Sequence, residues 1–533
     1  MSSNRTLRAA VVTLSAIFSI MFNPGQAQAK VDKEVLKLNG NRLKGEVNDN
    51  KVVFTNLEKG DGILLIYKYK DYPIVGLNNH NIHIFPFNYF NYNHKRKITL
   101  LVDPAFSFNY QSTGFDFKPV KSKVDDFDSY VWEQQDVERI ENEVSMPDYW
   151  DVAKYITLTS IPDWKYINNW YQILSNTSTE NTRIIDKTVK KIFPNGPSKN
   201  QMDNAKKIYE YIVQNIRYSS IWFRNSGLVP QEVSKTISSK LGDCKDVALT
   251  FKTLAGKVGI QSNLILVNTK DNGTKQYDLP SIEFNHCMVK MIIDNKEYFL
   301  ELTSDVNGFH TLGSRILNAC YLEIGENSSN KIERINPPTR VKNGVVNTTV
   351  MNFEDEKLMV TKNVLFLGDY AAYEKSTFRN TELKDQEEQI TGNLPDAFMN
   401  QQLVSFEFNK EQLTSVINDS LEHKYIYEVN SPFTKVANLS VLKLPFSYTK
   451  NGMPMLQTKQ RVLPLCLWNS PLDLDYEAEK IEINIPKGKK IAELPATVTI
   501  TNKYFDYTLS FTKVPGKCIA SKECIYKTFD IPA

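Results

Sequence analysis

The stretch "LGDCKDVALTF", residues 241–251, places one cysteine directly after a Gly-Asp step and directly before an apolar pattern of helical period. Such a pattern predicts a helix that begins at Cys244. The first turn of a helix leaves backbone N–H groups without partners and carries about half a positive charge. Both features favour an anion, and the thiolate is the nucleophilic form of cysteine. The stretch therefore predicts a nucleophile at the start of a helix.

The residues around Cys244 fit the start of such a helix. Gly242 lets the backbone turn sharply, and Asp243 can accept hydrogen bonds from the first N–H groups as the N-cap. Lys245 and Asp246 are assigned to the first turn, where an acid suits the helix dipole. The same N–H groups could hold the oxyanion that forms when an acyl carbon is attacked.

Helical period also occurs in two segments that precede this stretch, "DWKYINNWYQIL" and "DNAKKIYEYIVQNIRY". We expect these two helices and the helix after Cys244 to share one core. The apolar positions are Ile167, Trp170, Tyr171 and Leu174 in the first helix, Ala205, Ile208, Tyr209, Ile212, Val213 and Ile216 in the second, and Val247, Ala248, Phe251, Leu254, Ala255 and Val258 in the third.

A nucleophilic thiol needs a base, usually histidine, and a third group that orients this base. Of the six histidines, His286 is the one that opens a predicted strand, in "FNHCMVKMIIDNKEYFLELTSD". A two-residue hairpin turn at residues 294–295 would place His286 opposite Thr303. Glu301 and Asp305 would then lie diagonally across from the imidazole. The pattern therefore favours a carboxylate beside His286.

The segments "IYEYIVQNIRY", "LGDCKDVALTFKTLAGKVGI", "FNHCMVKM" and "YFLELTSD" resemble the transglutaminase-like superfamily, whose papain-like domain uses a Cys-His-Asp triad. The resemblance is closest to the bacterial exported branch, in which Gly-Asp-Cys-Lys-Asp recurs and a β-rich domain of unknown function comes first. "YVWEQQDVERIENEVSMP" and "DWKYINNWYQIL" loosely resemble the end of that upstream domain and its junction. "LPLCLWNSPLDLDYEAEKIEINIPKGKKIAELP" loosely resembles a β-rich C-terminal companion.

The resemblance implies that Cys244 is the nucleophile, His286 the base and Glu301 the third member of a triad. The family pattern is usually Leu-Asp-Pro-Thr, whereas this chain has Leu-Glu-Leu-Thr. Glutamate is one methylene longer than aspartate and could still accept a hydrogen bond from the imidazole. Asp305 is the alternative acid. The residues expected to line the cleft near the thiol are Tyr218, Trp222 and Asp243.

Each of these residues also has a structural interpretation. Six cysteines in an exported protein could form three disulfides, and Cys244 could belong to one of them. Cys518 and Cys524 are the better disulfide candidates, and Cys287 is expected to be a small core residue. Taken alone, His286 would be a structural histidine and the acid a solvated strand residue.

The N-terminus predicts export. Two arginines at positions 5 and 8 precede an apolar run, and the small-residue pattern at residues 27–29 suits signal peptidase. We expect a signal peptide over 1–29 and a mature chain that begins at Lys30, periplasmic or secreted. No later stretch is long and apolar enough for an integral membrane span. The formal net charge of +3 gives no long-range attraction to nucleic acid.

Composition shifts along the chain predict an α+β protein with three domains after the leader. Residues 30–160 and 329–533 are strand-rich, with one helix expected at about 380–389 and a hairpin that turns at residues 502–503. Residues 161–328 hold the helices and the hairpin around Cys244. The predicted fold is a papain-like, transglutaminase-like core flanked by two β-rich, sandwich-like domains.

The functional hypothesis is an exported cysteine-dependent acyl-transfer enzyme that acts on peptide or glutamine carboxamide bonds. Hydrolysis is slightly favoured over cross-linking, because water is abundant and no amine site is evident. The alternative is a non-catalytic binding or scaffolding protein that retains the fold, and the Asp-Pro to Glu-Leu departure supports it. The expected partner is a peptide or protein substrate, and the flanking domains are candidate surfaces for a further protein.

No cofactor is expected, because the sequence has no CxxC pair, phosphate-binding glycine loop or dinucleotide fingerprint. His80 and His83 have a metal-like spacing, but they lie in an Asn-rich segment without other ligands nearby. We therefore expect no metal site there.

Overall fold

The computed structural model describes short strands between residues 8 and 68, residues 76, 77 and 80, and the chain from residue 81 onward. Within this last part, residues 177–181, 221–226, 275–277, 355–356, 448–459, 470–474 and 529 lie outside the description. The protein is mixed α/β, and its sheets fall into an N-terminal, a central and a C-terminal region.

The N-terminal region is built from sheets. A four-stranded sheet of order β1-β8-β11-β10 and a three-stranded sheet of order β7-β12-β9 share one apolar core, to which Ile98, Trp132 and Ile156 contribute. Two faces packed in this way agree with the sandwich-like prediction. The elements are β1 (Arg8–Ala9), β2 (Lys30–Leu36), β3 (Arg42–Lys44), β4 (Glu46–Asn48), β5 (Lys51–Val53), β6 (Gly62–Lys68), β7 (Ile82–Pro86), β8 (Asn93–Val102), β9 (Asn109–Thr113), β10 (Val120–Val124), β11 (Phe127–Val137), α1 (Tyr149–Val152) and β12 (Tyr155–Thr159).

The central region packs helices against one face of an antiparallel five-stranded sheet of order β17-β16-β15-β18-β19. Alternation along β15 sends Leu264 and Leu266 to the helix side and Ile265 and Val267 to a second apolar cluster on the other side. The elements are α2 (Trp164–Asn176), α3 (Thr182–Ile192), α4 (Gln201–Asn215), β13 (Arg217–Tyr218), α5 (Val233–Ser239), β14 (Leu241–Gly242), α6 (Cys244–Lys257), β15 (Gln261–Asn268), β16 (His286–Ile293), β17 (Lys296–Leu300), β18 (Cys320–Ile324) and β19 (Ile332–Arg334).

The three helices that the sequence predicts are α2, α4 and α6, and their apolar faces lie in one core as expected. Helices α3 and α5 were not predicted. On α3 the buried residues are Ile185 and Thr188, and α5 has only seven residues. Helix α3 carries Ile185, Val189 and Ile192 at i, i+4 and i+7, a helical signal that was overlooked, whereas α5 is too short for a periodicity argument.

The hairpin of β16 and β17 turns at Asp294 and Asn295, as predicted. Both residues have positive φ, 51° and 60°, which is the requirement of a type I′ turn. Ile293 therefore pairs with Lys296. The ladder ends earlier than predicted, where Val289 pairs with Leu300, so Thr303 is not a strand partner of His286.

The C-terminal region has one large sheet of order β22-β23-β21-β20-β27-β30-β29-β28, in which β20 and β27 run parallel. Helices α7, α8 and α9 share its core through Phe378, Ile390 and Leu413. The expected helix is α8, whereas α7 and α9 were not predicted. The elements are β20 (Gly344–Glu354), β21 (Lys357–Leu367), α7 (Asp369–Phe378), α8 (Leu383–Gly392), β22 (Gln401–Phe408), α9 (Lys410–Thr414), β23 (Ser420–Asn430), β24 (Phe433–Val436), β25 (Leu439–Leu442), β26 (Leu465–Cys466), β27 (Tyr476–Asn484), β28 (Val498–Thr501), β29 (Phe505–Val514), β30 (Lys517–Tyr526) and β31 (Asp530–Ile531).

Two C-terminal predictions have opposite outcomes. The hairpin near residues 502–503 is confirmed, because Thr501 pairs with Asp506. The suggested disulfide between Cys518 and Cys524 is wrong. Both cysteines lie on β30, about 20 Å apart at the usual rise of a strand, and all six cysteines of the chain are free.

No helix within the described residues is long and apolar enough to cross a membrane.

Candidate active site

The start of α6 is fixed by a reciprocal pair of hydrogen bonds. The Asp243 carboxylate accepts from the Asp246 N–H at 3.3 Å, and the Asp246 carboxylate accepts from the Asp243 N–H at 3.1 Å. This capping box confirms Asp243 as the N-cap and makes Cys244 the first residue of the helix. The Lys245 ammonium also forms an ion pair with Asp243. The backbone N–H of Cys244 is not one of the groups that the capping box uses.

The segment before the helix is packed closely against α5. Asp246 is 1% exposed and accepts from the Gln231 N–H at 2.8 Å. A Cβ atom added to Gly242 would lie 3.0 Å from the Asp246 Cβ and 3.2 Å from the Thr236 Cγ2. Gly242 is thus needed for close approach, and this packing fixes the position of the thiol.

The structure brings Cys244, His286 and Glu301 together. His286 is the first residue of β16 and lies beside the Cys244 side chain, which contributes to the raised pKa of the imidazole. Its Nε2 atom lies 2.8 Å from the Glu301 Oε2, which leaves Nδ1 as the nitrogen for the thiol. The His286 and Glu301 side chains are 12% and 9% exposed. Cys244 is half-buried, whereas the other five cysteines are buried.

The attraction between His286 and Glu301 outweighs the effect of burial on the pKa of both groups. Burial alone would lower the pKa of His286, but the Glu301 carboxylate and the Cys244 side chain outweigh it and raise this pKa to about 10. Burial alone would raise the pKa of Glu301, but His286 and the bonds from Thr303 bring it down to about 2. The pair is therefore an imidazolium and a carboxylate at neutral pH.

The two other side chains expected to line the cleft have different outcomes. β13 pairs in parallel with β14, and this pairing holds Tyr218 beside the start of α6, where it is 39% exposed. Burial, followed by the negative charges of Cys244 and Asp243, raises the pKa of Tyr218 to about 12. Trp222 lies outside the described residues.

Asp305, the alternative acid, is not placed on the imidazole. Its carboxylate lies 3.3 Å from the Arg379 guanidinium and is 67% exposed. Cys287 is a buried core residue as expected, at 5% exposure among the apolar residues beneath the helices.

Residues 187–300 match the family model of the transglutaminase-like superfamily. This range includes Cys244 and His286 and ends one residue before Glu301. The chain contains a transglutaminase-like domain. No match is found among curated proteins.

Two solved structures are similar to the chain. A "putative protease" from Parabacteroides distasonis has a TM-score of 0.60 at 12% identity, over 96% of this chain and 86% of that chain. A "putative cysteine protease" from Cytophaga hutchinsonii has 12% identity over 42% of this chain and 75% of that chain, with a TM-score of 0.19. The first likeness shows that nearly the whole chain shares a fold with that protein, whereas the second is too weak to carry an argument.

The contact of Thr303 with the acid was not predicted. The Thr303 N–H and hydroxyl donate to the Glu301 Oε1 at 2.9 Å and 2.6 Å. The Glu301 Oε1 thus accepts both hydrogen bonds from Thr303, and the Oε2 faces His286. These contacts fix the orientation of the carboxylate. A threonine two residues after an acid, just past a strand, is a local signal for such a bond.

No group of three or more His, Cys, Asp or Glu side chains in the described part of the chain could hold a metal ion. His80 instead lies 3.2 Å from the Ser160 hydroxyl and packs edge-on against Tyr166. His83 lies in β7, stacked on Phe85.

Proposed function

We propose that this protein is an exported cysteine-dependent acyl-transfer enzyme that hydrolyses peptide or glutamine carboxamide bonds. Cys244 is the nucleophile, His286 carries the proton and Glu301 orients the imidazole. The observation that carries the proposal is the continuous contact from a thiol at a helix N-terminus to an imidazole and on to a buried carboxylate. Nucleophile, base and orienting group in this order are the requirement for covalent acyl transfer.

The proposed reaction starts from a thiolate beside the His286 imidazolium. The Cys244 sulfur bonds to the carbonyl carbon, and the oxyanion that results accepts a hydrogen bond from the Cys244 N–H at the helix start. His286 then gives its proton to the leaving amine as the C–N bond breaks. In the second half, water attacks the carbonyl carbon of the thioester and His286 takes up a proton of that water. The C–S bond then breaks, the carboxylic acid product leaves, and the Cys244 thiolate is regenerated.

The glutamate in the third position supports catalysis rather than its loss. The extra methylene could have placed the carboxylate wrongly, but the Glu301 Oε2 lies 2.8 Å from the His286 Nε2. The departure from Asp-Pro is therefore compatible with an orienting acid.

The experiment that tests the proposal is alkylation with iodoacetamide at pH 6, read by mass spectrometry of the modified peptide. We expect Cys244 to react at least about tenfold faster in the native protein than in the His286→Ala variant, because the imidazolium favours the thiolate. The five buried cysteines are internal controls. Equal rates in both proteins would refute a His286-activated thiol and leave the scaffold interpretation.

A second experiment then distinguishes water from an amine as the acceptor of the acyl group. The protein is incubated with an electrophilic activity-based probe and with a peptide library, with Cys244→Ala as the control. Probe bound at residue 244 and new peptide termini would support hydrolysis, whereas joined peptides would support cross-linking. Export is tested by the N-terminus of the cell-derived protein, which we expect at Lys30 and which would be Met1 or Ser2 if the leader were retained.

A further inference from the structure

The β16–β17 ladder ends one residue before Glu301, so its backbone hydrogen bonds do not hold this residue. Leu300 is the last residue of β17 and pairs with Val289. Glu301 and Thr303 therefore lie where the chain has left the sheet. The position of the acid depends on what holds the segment that follows, residues 303–314.

Arg379, at the end of α7, is the first of these anchors. Its guanidinium donates to the Asp305 backbone carbonyl at 2.7 Å and lies 3.3 Å from the Asp305 carboxylate. The same side chain donates to the Leu413 carbonyl at 3.1 Å and is 12% exposed. One side chain of the C-terminal region, Arg379, thus holds the backbone of Asp305, four residues after Glu301.

Asp419, just before β23, is the second anchor. One oxygen of its carboxylate accepts from the His310 N–H at 2.9 Å and from the Thr311 hydroxyl at 2.7 Å. The approach is close, because a Cβ atom added to Gly308 would lie 2.6 Å from the Asp419 Cα. The two backbones are in contact at this point.

The C-terminal segment that presents Asp419 is itself held firmly. The Ile417 carbonyl accepts from the Phe309 N–H at 3.1 Å. Val416 lies in the same apolar core as Leu302, which adjoins the acid. Lys375 on α7 is fully buried and donates to the Ser415 and Asn418 carbonyls. The segment is therefore a rigid support for residues 305–311.

From these contacts we infer that Arg379 and Asp419 are positioning residues that hold Glu301 against His286 from the C-terminal region. The inference rests on the proposed function, since it concerns the same triad. Within the transglutaminase-like domain the Tyr209 hydroxyl also donates to the Asn307 carbonyl, at 3.3 Å, so the C-terminal anchors act together with one local bond. Misplacement of an orienting group by a fraction of an ångström is enough to lower reactivity.

The test compares iodoacetamide alkylation of Cys244 from pH 5 to 9 in the full chain and in its variants. We expect Arg379→Ala and Asp419→Ala each to lower the rate at pH 6 by about tenfold while the rate at pH 9 changes little. Asp419→Asn keeps an oxygen acceptor for His310 and Thr311, so it should retain most of the native rate at pH 6. If Asp419→Ala does not fold, Arg379→Ala carries the test.

Arg461→Ala is the matched control for lost stability. Arg461 is 16% exposed, lies 3.4 Å from the Glu143 carboxylate and donates to the Val144 carbonyl at 2.9 Å. It thus joins the C-terminal region to the N-terminal region, away from the triad. We expect this variant to lose stability in thermal unfolding and to keep the native pH profile.

The outcomes separate the two proposals. Equal alkylation rates for the wild type and His286→Ala would refute the proposed function. A wild type that outpaces His286→Ala, together with native profiles in Arg379→Ala and Asp419→Ala, would refute the positioning role alone. The positioning role is also refuted if Arg461→Ala changes the profile as much as the other two variants do.

Discussion

Glu301, just after β17, and Glu479, in the eight-stranded sheet, are each buried beside a cation. Glu301 accepts from the N–H and hydroxyl of Thr303. Glu479 accepts from the Ser447 N–H at 2.8 Å, with the Ser447 hydroxyl at 3.5 Å. Each acid thus accepts a backbone N–H and a hydroxyl from one residue. Thr303 is two residues from Glu301 and bonds one oxygen twice, whereas Ser447 is 32 residues from Glu479 and bonds both oxygens.

The two pairs differ in what surrounds the cation. Lys362 lies 3.2 Å from Glu479, with side chains that are 2% and 0% exposed, and a second lysine, Lys522, is 3.4 Å from the same acid. His286 instead links its acid to a half-buried thiol. Burial and charge pairing are thus common to a core and to a site. What distinguishes the proposed active site is an imidazole between the acid and a half-buried thiol.

The largest effect is expected for Glu301→Gln. The amide keeps the size of the side chain but removes the charge that holds the imidazolium, so peptide hydrolysis should fall by about 10⁴-fold. Alkylation of Cys244 at pH 6 should fall toward the rate of His286→Ala. The measurements are hydrolysis kinetics on a substrate from the peptide library and the alkylation rate.

Glu297→Gln is the control for this variant. Glu297 lies on the same hairpin, pairs with Lys290 at 2.7 Å and is 51% exposed. It should keep the native rates, since it does not touch the triad. A Glu301→Gln enzyme that hydrolyses peptides at more than a tenth of the native rate would end the comparison, because Glu301 would then be a structural acid like Glu479.

The next effect is on stability and concerns the other pair. Glu479→Ala leaves Lys362 buried without its carboxylate, which should lower the free energy of unfolding by about 3–5 kcal/mol. The double variant Lys362→Met with Glu479→Leu replaces both charges by apolar groups and should recover most of this loss. Chemical denaturation measures both effects. Alkylation of Cys244 at pH 6 should stay within about twofold of the native rate, and a parallel loss of reactivity would contradict the distinction between the pairs.

Local signals in the sequence predicted the separate parts of the candidate site. A helix start at Cys244, a strand start at His286 and a two-residue turn each follow from short-range pattern, and the turn puts Glu301 or Asp305 beside the imidazole. The expectation that Cys244 meets this pair came from the family resemblance, and the structure brings the three residues together. Asp305 could not be rejected in this way. Its carboxylate instead pairs with Arg379, 74 residues later in the chain. A contact over such a distance leaves no periodic pattern in the sequence.

Other features of the fold also depend on contacts that a local pattern does not show. Two cysteines six residues apart looked like a disulfide because the sequence did not show that one uninterrupted strand, β30, carries both. Beyond the end of the β16–β17 ladder at Leu300, residues 305–311 contact the C-terminal region, and such long-range contacts leave no local pattern. Helices α7 and α9 are stabilised by packing on the large sheet, which is a tertiary effect rather than a sequence pattern.

A smaller effect is expected for Thr303→Val, which removes the hydroxyl that donates to the Glu301 Oε1 at 2.6 Å. A hydrogen bond to a charged group contributes about 1.5–3 kcal/mol, and its loss should lower peptide hydrolysis by about 30-fold. Thr303→Ser keeps the hydroxyl and is the conservative control. Ser447→Ala, which removes the hydroxyl beside Glu479, should lower stability and leave hydrolysis unchanged. Native hydrolysis in Thr303→Val would show that the backbone N–H alone orients the acid.

The smallest effect is a difference in how the two pairs respond to pH. The folded pKa of His286, about 10, exceeds the ordinary 6.5, so its stabilisation is fully present below pH 6.5 and is lost as pH rises through 10. The folded pKa of Glu301, about 2, is below the ordinary 4.5, so its contribution is present above pH 4.5 and is lost as pH falls through 2. Both describe one interaction, which is complete between pH 4.5 and 6.5.

Lys362 has the opposite sign, because burial lowers its pKa below 10.5. The unfolded chain then binds more protons than the folded chain as pH approaches 10.5, and the contribution of Lys362 to stability rises with pH.

We expect the advantage of the wild type over Glu301→Gln in the free energy of unfolding to shrink by about 1 kcal/mol from pH 5.5 to 7.5. Urea titrations at both pH values measure this difference. An advantage that grows over this interval would mean that His286 is neutral in the folded protein, and the imidazolium that separates the two pairs would be absent.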